Sequence, residues 1–355
     1  MKPSLAFFDA KPYDREFFES ANKAWGYRIK YLETKLNPDT AGFAQGYDVV
    51  CSFVNDTVNR ETLDVLVKCG VKLLALRCAG YNHIDLKAAY GRIPVVHVPE
   101  YSPYAVAEHA LALILALNRK IHKAYHRTRD GDFTLNGLMG FDMHGKTAAV
   151  IGTGRIGMVM LKMLKGFDMR LVAFDPYPNM ARAAEIGFEY LALDELYGAA
   201  EIISLHCPLT PQNVHLINSA SIAKMKDGVI LVNTSRGRLI DSRGLVEGLK
   251  SGKIGGAALD VYEEEAQYFF EDYSSTVIGD DVLARLLTFP NVLITAHQGF
   301  FTREALSKIA EVTLENIRLF FEKRELPHEI CYHCGTGTCR KKTEGRCWTG
   351  NLPAK

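Results

Sequence analysis

The chain has 355 residues, 48% hydrophobic and 23% charged; this composition excludes disorder and a coiled coil, and the length calls for two compact domains rather than one core. With 42 Lys plus Arg against 41 Asp plus Glu the net charge is +1, so no global field selects nucleic acid or an anionic membrane, and neither is expected as a partner. Asp9, Lys11 and Asp14 break the first apolar stretch, and the most apolar window, 110–117, is far short of the roughly 20 residues a membrane helix needs; export and membrane insertion are therefore not expected, and the cytoplasm is.

In chain order, SLAFFD, YRIKYLE, YDVVCSFV, KLLALRC and PVVHV read as strands, with DREFFESANKAW and ETLDVLVKCG as amphipathic helices between them. That alternation predicts a parallel sheet covered by helices. Residues 102–125 read as one long helix in which Ser102 caps, Pro103 suits the first turn, and Glu108 and His109 interrupt an apolar face. After a polar loop the alternation restarts with KTAAVIGTG, RLVAFDPY, EIISLHCP, GVILVNTSRG, GGAALDVYE and NVLITAHQG. A final helical pattern over 303–324 carries Leu306, Ile309, Ala310, Leu314, Ile317 and Phe320 at helical spacing. The expected fold class is α/β, with two doubly wound parallel-sheet domains and a short Cys-rich C-terminal tail.

Gly152-Thr153-Gly154-Arg155-Ile156-Gly157 follows a strand and opens a helix, and Asp175 ends the next strand. Glycines there let the backbone turn tightly and approach a pyrophosphate, the helix N-terminus supplies N–H groups, and the acid can bind both ribose hydroxyls. A carboxylate at Asp175 repels the phosphate of NADP, so NAD is the expected cofactor. The plainer readings are an ordinary strand-to-helix turn, and an Asp175 that merely caps a turn before Pro176.

Three polar residues follow later strands: Arg236 in VNTSRGRLID, Glu265 in ALDVYEEE and His297 in LITAHQG. In a doubly wound sheet such positions share one crevice. An Arg fork can hold a 2-oxo acid by its carboxylate, a His can give the proton that ketone reduction requires, and a Glu can steady the imidazolium. Taken singly, Arg236 could be a surface ion-pair member, Glu265 a solvated acid beside Glu263 and Glu264, and His297 a core histidine.

GTGRIG, VNTSRGRLID, ALDVYEEE and TAHQGF, in this order, resemble the D-isomer-specific 2-hydroxyacid dehydrogenase family, and the likeness runs to about Pro327. LAFFDAKPYDREFF, LRCAGYNHID, VPEYSPYAVAEHA and QYFFEDYSS resemble its lactate-forming branch. The resemblance implies a flavodoxin-like substrate domain (1–101 plus 299–330), a Rossmann NAD domain (102–298) and a separate tail (331–355). It implies that Arg236 binds the substrate carboxylate, His297 is the acid/base and Glu265 its partner, with Ala79, Gly80, Tyr101 and Phe300 walling the substrate pocket. Along NAD it implies Gly152, Gly154, Arg155, Ile156, Gly157, Asp175, His206, Cys207, Asn213, Thr234, Arg236 and Asp260. Without it, Tyr101 reads as a packing aromatic and His206 and Cys207 as strand-end core residues.

The implied function is reversible hydride transfer between NADH and pyruvate, giving D-lactate, by a homo-oligomer, dimer or tetramer. The alternatives are a dehydrogenase of bulkier 2-oxo acids and, in another class, an NAD(H)-sensing corepressor-like binding protein. One departure is Gly299, where similar dehydrogenases often carry Ala; it is expected to loosen the wall formed by Phe300 and so to admit larger 2-oxo acids more readily, with lactate still the leading product.

Of eight cysteines, Cys51, Cys69, Cys78 and Cys207 are scattered and read as reduced core residues. Cys331, Cys334, Cys339 and Cys347 crowd the tail with spacing C-x2-C-x4-C-x7-C. Thiolates that close can hold zinc or an iron-sulfur centre, although the spacing is no standard pair of C-x2-C pairs, and a flexible redox-sensitive tail is the other reading. Gly335 and Gly337 would permit the turns such a site requires.

Overall fold

A computed structural model describes residues 2–334, 339–341 and 345–347; Gly335 and Gly337 lie outside the described residues. In chain order the elements are β1 (Ser4–Phe7), α1 (Pro12–Asn22), β2 (Arg28–Tyr31), β3 (Val49–Ser52), α2 (Arg60–Lys68), β4 (Leu73–Leu76), α3 (Leu86–Ala89) and β5 (Val95–Val96). Then come α4 (Pro103–Arg119), α5 (Ile121–Arg129), β6 (Thr147–Ile151), α6 (Arg155–Lys165), β7 (Arg170–Phe174), α7 (Met180–Ile186), β8 (Glu189–Tyr190), α8 (Leu193–Ala199) and β9 (Ile202–Leu205). The remainder is α9 (Ser219–Lys224), β10 (Val229–Asn233), α10 (Ser242–Lys250), β11 (Ile254–Leu259), α11 (Asp281–Thr288), β12 (Val292–Ile294), α12 (Arg303–Phe321) and β13 (Glu329–Ile330).

Two compact units result, Met1–Ser102 with Thr302–Lys355, and Pro103–Phe301. The first holds a six-stranded sheet in the order β13-β5-β4-β3-β1-β2, parallel except for the antiparallel pair β13–β5. Within it the order 2-1-3-4-5 is that of a flavodoxin-like doubly wound sheet. VVCS and LLAL are buried along their whole length, as unbroken apolar runs must be in a sheet covered on both faces. Asn59 caps α2 by accepting from the Thr62 amide at 2.9 Å, and Thr302 caps α12 through the Ala305 amide at 3.3 Å.

The second unit holds seven strands in the order β12-β11-β10-β9-β6-β7-β8, all parallel; this is the 3-2-1-4-5-6 order of a Rossmann sheet with one strand added. Alternate residues feed two cores, Ala149, Ile151, Ile203 and Leu231 to one face and Ala148, Val150, Ile202 and Val232 to the other. The order reverses between β6 and β9, so a crevice opens at their carboxyl ends.

The helix expected over 102–125 is two helices, broken at Lys120, whose φ of 51° is left-handed. Just before the break the Asn118 amide is committed to Phe141, donating to its carbonyl at 2.8 Å and accepting from its N–H at 2.9 Å. Apolar periodicity could not reveal that clamp. β8 and β13, two residues each, are too short to leave a pattern. No helix among the described residues is long and apolar enough to cross a membrane.

Candidate active site

Where β6 ends, Gly152 turns with φ of 95°, and a Cβ there would meet the Cys207 amide nitrogen at 2.5 Å. At Gly157 an added Cβ would stand 2.0 Å from the Gly152 carbonyl oxygen, so only glycine lets the first turn of α6 close on the loop. Gly154 behaves oppositely: a Cβ would meet nothing within 4 Å, and its missing side chain leaves open space at the N-terminus of α6, where Arg155 and Ile156 begin the helix. Asp175 Oδ2 accepts from the Thr153 amide at 2.7 Å and hydroxyl at 3.1 Å, while Oδ1 accepts from the Tyr177 amide at 2.9 Å. The carboxylate thus caps a turn and clasps the glycine loop at once, with lone pairs left for ribose hydroxyls.

His206 and Cys207 follow β9. His206 Nε2 lies 2.8 Å from the Ser204 hydroxyl, and burial pulls its imidazole down to about 4, so it is neutral. Burial pushes the Cys207 thiol up to about 11. Neither places a charge beside the loop. Asn213 shapes the following turn through the Thr210 amide and the Pro208 carbonyl, each at 2.7 Å. Thr234, just past β10, has a buried hydroxyl with no hydrogen-bond partner in the protein. A buried polar atom left in this way can bond to a ligand group or to water. With the open space at Gly154, it makes this crevice fit a dinucleotide.

β10, β11 and β12 are neighbours, so the segments that follow them meet at one edge. Buried Asn233 fixes the first segment by donating to the Arg236 carbonyl at 2.8 Å and accepting from the Ser235 amide at 3.0 Å. Gly237 packs so tightly that a Cβ would stand 2.0 Å from the Tyr262 carbonyl oxygen, which joins the Arg236 loop to the one bearing Glu265. The Arg236 guanidinium donates to the Ser235 carbonyl at 2.7 Å, and its remaining donors can grip a carboxylate.

Glu265 Oε2 accepts from the Tyr262 amide at 2.9 Å, and Oε1 lies 2.9 Å from Nδ1 of His297. With Nδ1 facing a carboxylate, that nitrogen carries the proton and Nε2 is left for exchange. Neighbouring acids do otherwise: Glu263 Oε1 lies 2.6 Å from His215 Nε2, and Glu264 is exposed. Glu265 and His297 are each only one-fifth exposed, so Glu265 is not a solvated acid, and His297 is mostly buried with Nδ1 on that carboxylate.

Asp260, expected along the cofactor, is the clamp of the His297 loop. Its Oδ1 accepts from the Thr295 hydroxyl at 2.6 Å and the Gln298 amide at 2.9 Å and lies 3.2 Å from His109 Nε2; Oδ2 accepts from the Gly299 amide at 2.8 Å. The His297 amide donates to the Asp260 carbonyl at 2.7 Å, which holds His297 at a left-handed φ of 54°. Burial pushes the Asp260 carboxyl up, but the bonds from His109, Thr295 and Gln298 outweigh it and hold the group below its ordinary value.

Sequence reasoning missed His109, Thr295 and Phe270. A histidine inside the apolar face of α4 was the available signal for the first. Phe270, at a left-handed φ of 68°, sets its ring 6.0 Å from His297 and 6.4 Å from Phe300. A Cβ at Gly299 would lie 3.0 Å from Asp260 Oδ2 and 3.6 Å from His109. The missing methyl therefore bears on the clamp.

In the other unit, Ala79 and Gly80 turn after β4. The Ala79 carbonyl lies 3.0 Å from His97 Nδ1, and the Cys78 thiol donates to the Gly80 carbonyl at 3.2 Å. Tyr101 is half-buried just before this unit's first segment ends.

Residues 111–299 match the family described as D-isomer specific 2-hydroxyacid dehydrogenase, NAD binding domain. The chain is 51% identical to a D-lactate dehydrogenase of Escherichia coli (strain K12), covering 92% of this chain and 99% of that one. The apo-structure of D-lactate dehydrogenase from Escherichia coli superposes with a TM-score of 0.85 at 49% identity, over 92% of this chain and 99% of that chain. The pyruvate reductase of Chlamydomonas reinhardtii does so with a TM-score of 0.87 at 42% identity, over 92% and 98%.

Proposed function

The chain belongs to the D-isomer-specific 2-hydroxyacid dehydrogenases, and from that membership we propose that it reduces pyruvate to D-lactate at the expense of NADH, reversibly. The observation that carries the proposal is the 2.9 Å contact between His297 Nδ1 and Glu265 Oε1 beside the Arg236 loop. NADH, when bound, supplies the hydride that reaches C2 of the keto acid. Gly152, Gly154, Gly157, Asp175 and Thr234 would hold the dinucleotide. Arg236 grips the substrate carboxylate through parallel N–H donors and fixes the orientation of the carbonyl. Glu265 keeps the proton on Nδ1 and stabilises the charged ring, so Nε2 of His297 gives its proton to the carbonyl oxygen. Asp260 holds the loop so that this nitrogen stays in place. Pyruvate, NADH and one proton thus become D-lactate and NAD.

Kinetics with NADH and a panel of pyruvate, 2-oxobutyrate, oxaloacetate and phenylpyruvate tests this. The highest kcat/KM is expected for pyruvate. A larger acid in first place would move the assignment to bulkier substrates, and no NADH oxidation with any of them would reject it.

The same reading makes the protein a homo-oligomer. Exposed Ile121, Tyr125, Phe133, Leu135 and Met139, on α5 and the segment after it, support that. Light scattering should give a dimer or tetramer that Leu135→Asp weakens. Eight free cysteines support a reducing, cytoplasmic setting. Any metal on the tail thiols would be structural, since Arg236 and His297 account for the chemistry.

A further inference from the structure

Hydride transfer has no use for the four thiols of the tail. The sulfurs of Cys331, Cys334, Cys339 and Cys347 all lie within 4.8 Å of one another, and none is joined in a disulfide. In a tetrahedral tetrathiolate with zinc–sulfur bonds of about 2.3 Å, neighbouring sulfurs stand about 3.8 Å apart. The group is therefore already close to the dimensions of such a site, with two members, Cys331 and Cys347, buried.

The surrounding chain is built to hold it. Cys331 and Cys334 form a knuckle in which the Cys334 amide donates to the Cys331 carbonyl at 3.0 Å and the Cys331 amide donates to the Cys334 sulfur at 3.3 Å. Cys347 is brought back by Glu329, whose fully buried carboxylate accepts from the Cys347 amide at 2.7 Å. The same carboxylate takes the Arg346 fork, Nε at 3.1 Å and Nη2 at 3.2 Å. The Lys341 ammonium donates to the carbonyls of Pro327 and Glu329. Arg346 neutralises the Glu329 carboxylate, which leaves Lys341 to offset part of the negative charge that four thiolates around a dication would carry, and bonds of this outer kind orient metal ligands.

We propose that Cys331, Cys334, Cys339 and Cys347 bind one zinc ion as a structural tetrathiolate that fastens the tail over β13. β13 pairs with β5 through only Glu329 and Ile330 at the edge of its sheet, a junction with little stability of its own. Closing all four positions with protein ligands leaves no site for substrate, which marks a structural ion rather than a catalytic one. Zinc rather than iron is assigned because two-electron hydride transfer has no use for a one-electron carrier. The inference stands independently of which 2-oxo acid the enzyme reduces.

The test uses the full chain, untagged and purified anaerobically without chelator. Elemental analysis should find one zinc per chain, and a mercurial titration of the native protein should release it as the tail thiols react. Cobalt(II) exchanged into the site should give the intense visible bands of tetrahedral four-sulfur coordination. Cys339→Ser should lose most of the zinc and those bands, while kcat/KM for pyruvate stays within about twofold. Any of four results would overturn the proposal: zinc below about a tenth of an equivalent in the wild type, iron in its place, tail disulfides in the anaerobic protein, or zinc and cobalt bands unchanged in both Cys339→Ser and Cys334→Ser.

Discussion

The edge formed after β10, β11 and β12 and the turn behind β13 both gather ionisable side chains from separated segments, but they are finished differently. At the first, both carboxylates that hold His297 are answered by protein donors: Glu265 by Tyr262 and His297, and Asp260 by Thr295, Gln298, Gly299 and His109. At the second, the carboxylate of Glu329 is answered by Arg346 and the Cys347 amide, while four sulfurs crowd together with no disulfide among them. A reaction site must keep its geometry while substrate comes and goes, so the protein itself supplies the order. A structural metal site can leave that order to the ion.

Breaking each region in turn sharpens the contrast. His297→Gln removes the proton donor and should lower kcat about a thousandfold, the middle of the range for general acid catalysis, with the circular dichroism spectrum unchanged. Serine at Cys339 should leave kcat alone. If both substitutions depressed turnover to a similar extent, the division between a reacting edge and a structural tail would collapse.

Asp175→Ala, assayed with NADH and NADPH, should cut kcat/KM for NADH about tenfold and narrow the preference between them, because the acid both clasps Thr153 and repels a ribose phosphate. An unchanged preference would leave Asp175 only its turn-capping role.

Acid should weaken both units. Burial, followed by the charge of Arg77, pulls His83 down to about 3, and burial pulls His206 down to about 4, from an ordinary 6.5. Both are depressed in the folded state, so the unfolded chain binds protons first, and stability present above pH 6.5 is lost as pH falls toward those values. Between pH 7 and pH 6 each should lower the folded-to-unfolded ratio about threefold. Urea titrations of wild type and His83→Gln would show it: between pH 7 and pH 6 the variant should lose about threefold less of its folded-to-unfolded ratio than the wild type, and an equal loss in both would contradict the role given to His83.

The smallest effect is expected at Gly299. A methyl there presses on Asp260 at 3.0 Å, so Gly299→Ala should change kcat/KM by about twofold or less, equally for small and large 2-oxo acids. A change confined to large acids would place the effect of Gly299 at the pocket wall instead of at Asp260.

Much of this was legible in the sequence because strands of a buried parallel sheet are unbroken apolar runs and because glycine is dictated by contact. Gly152 and Gly157 could be named beforehand since no other residue fits their backbone. Arg236, Glu265 and His297 could be named since each follows a strand-like run. What stayed hidden depends on side chains meeting across long separations. His109 reaches Asp260 from α4, Asn118 breaks a helix by holding Phe141, and Glu329 recovers Cys347. Spacing along the chain records none of those meetings. The tail cysteines were visible as residues, but their convergence within 4.8 Å was not.

The most direct test of the central claim is the configuration and yield of the product when purified protein, NADH and pyruvate react, with wild type and His297→Gln run side by side. One D-lactate should form per NADH oxidised by the wild type, and formation by the variant should be about a thousandfold slower. L-lactate as the product, or D-lactate formed equally fast without His297, would contradict the claim.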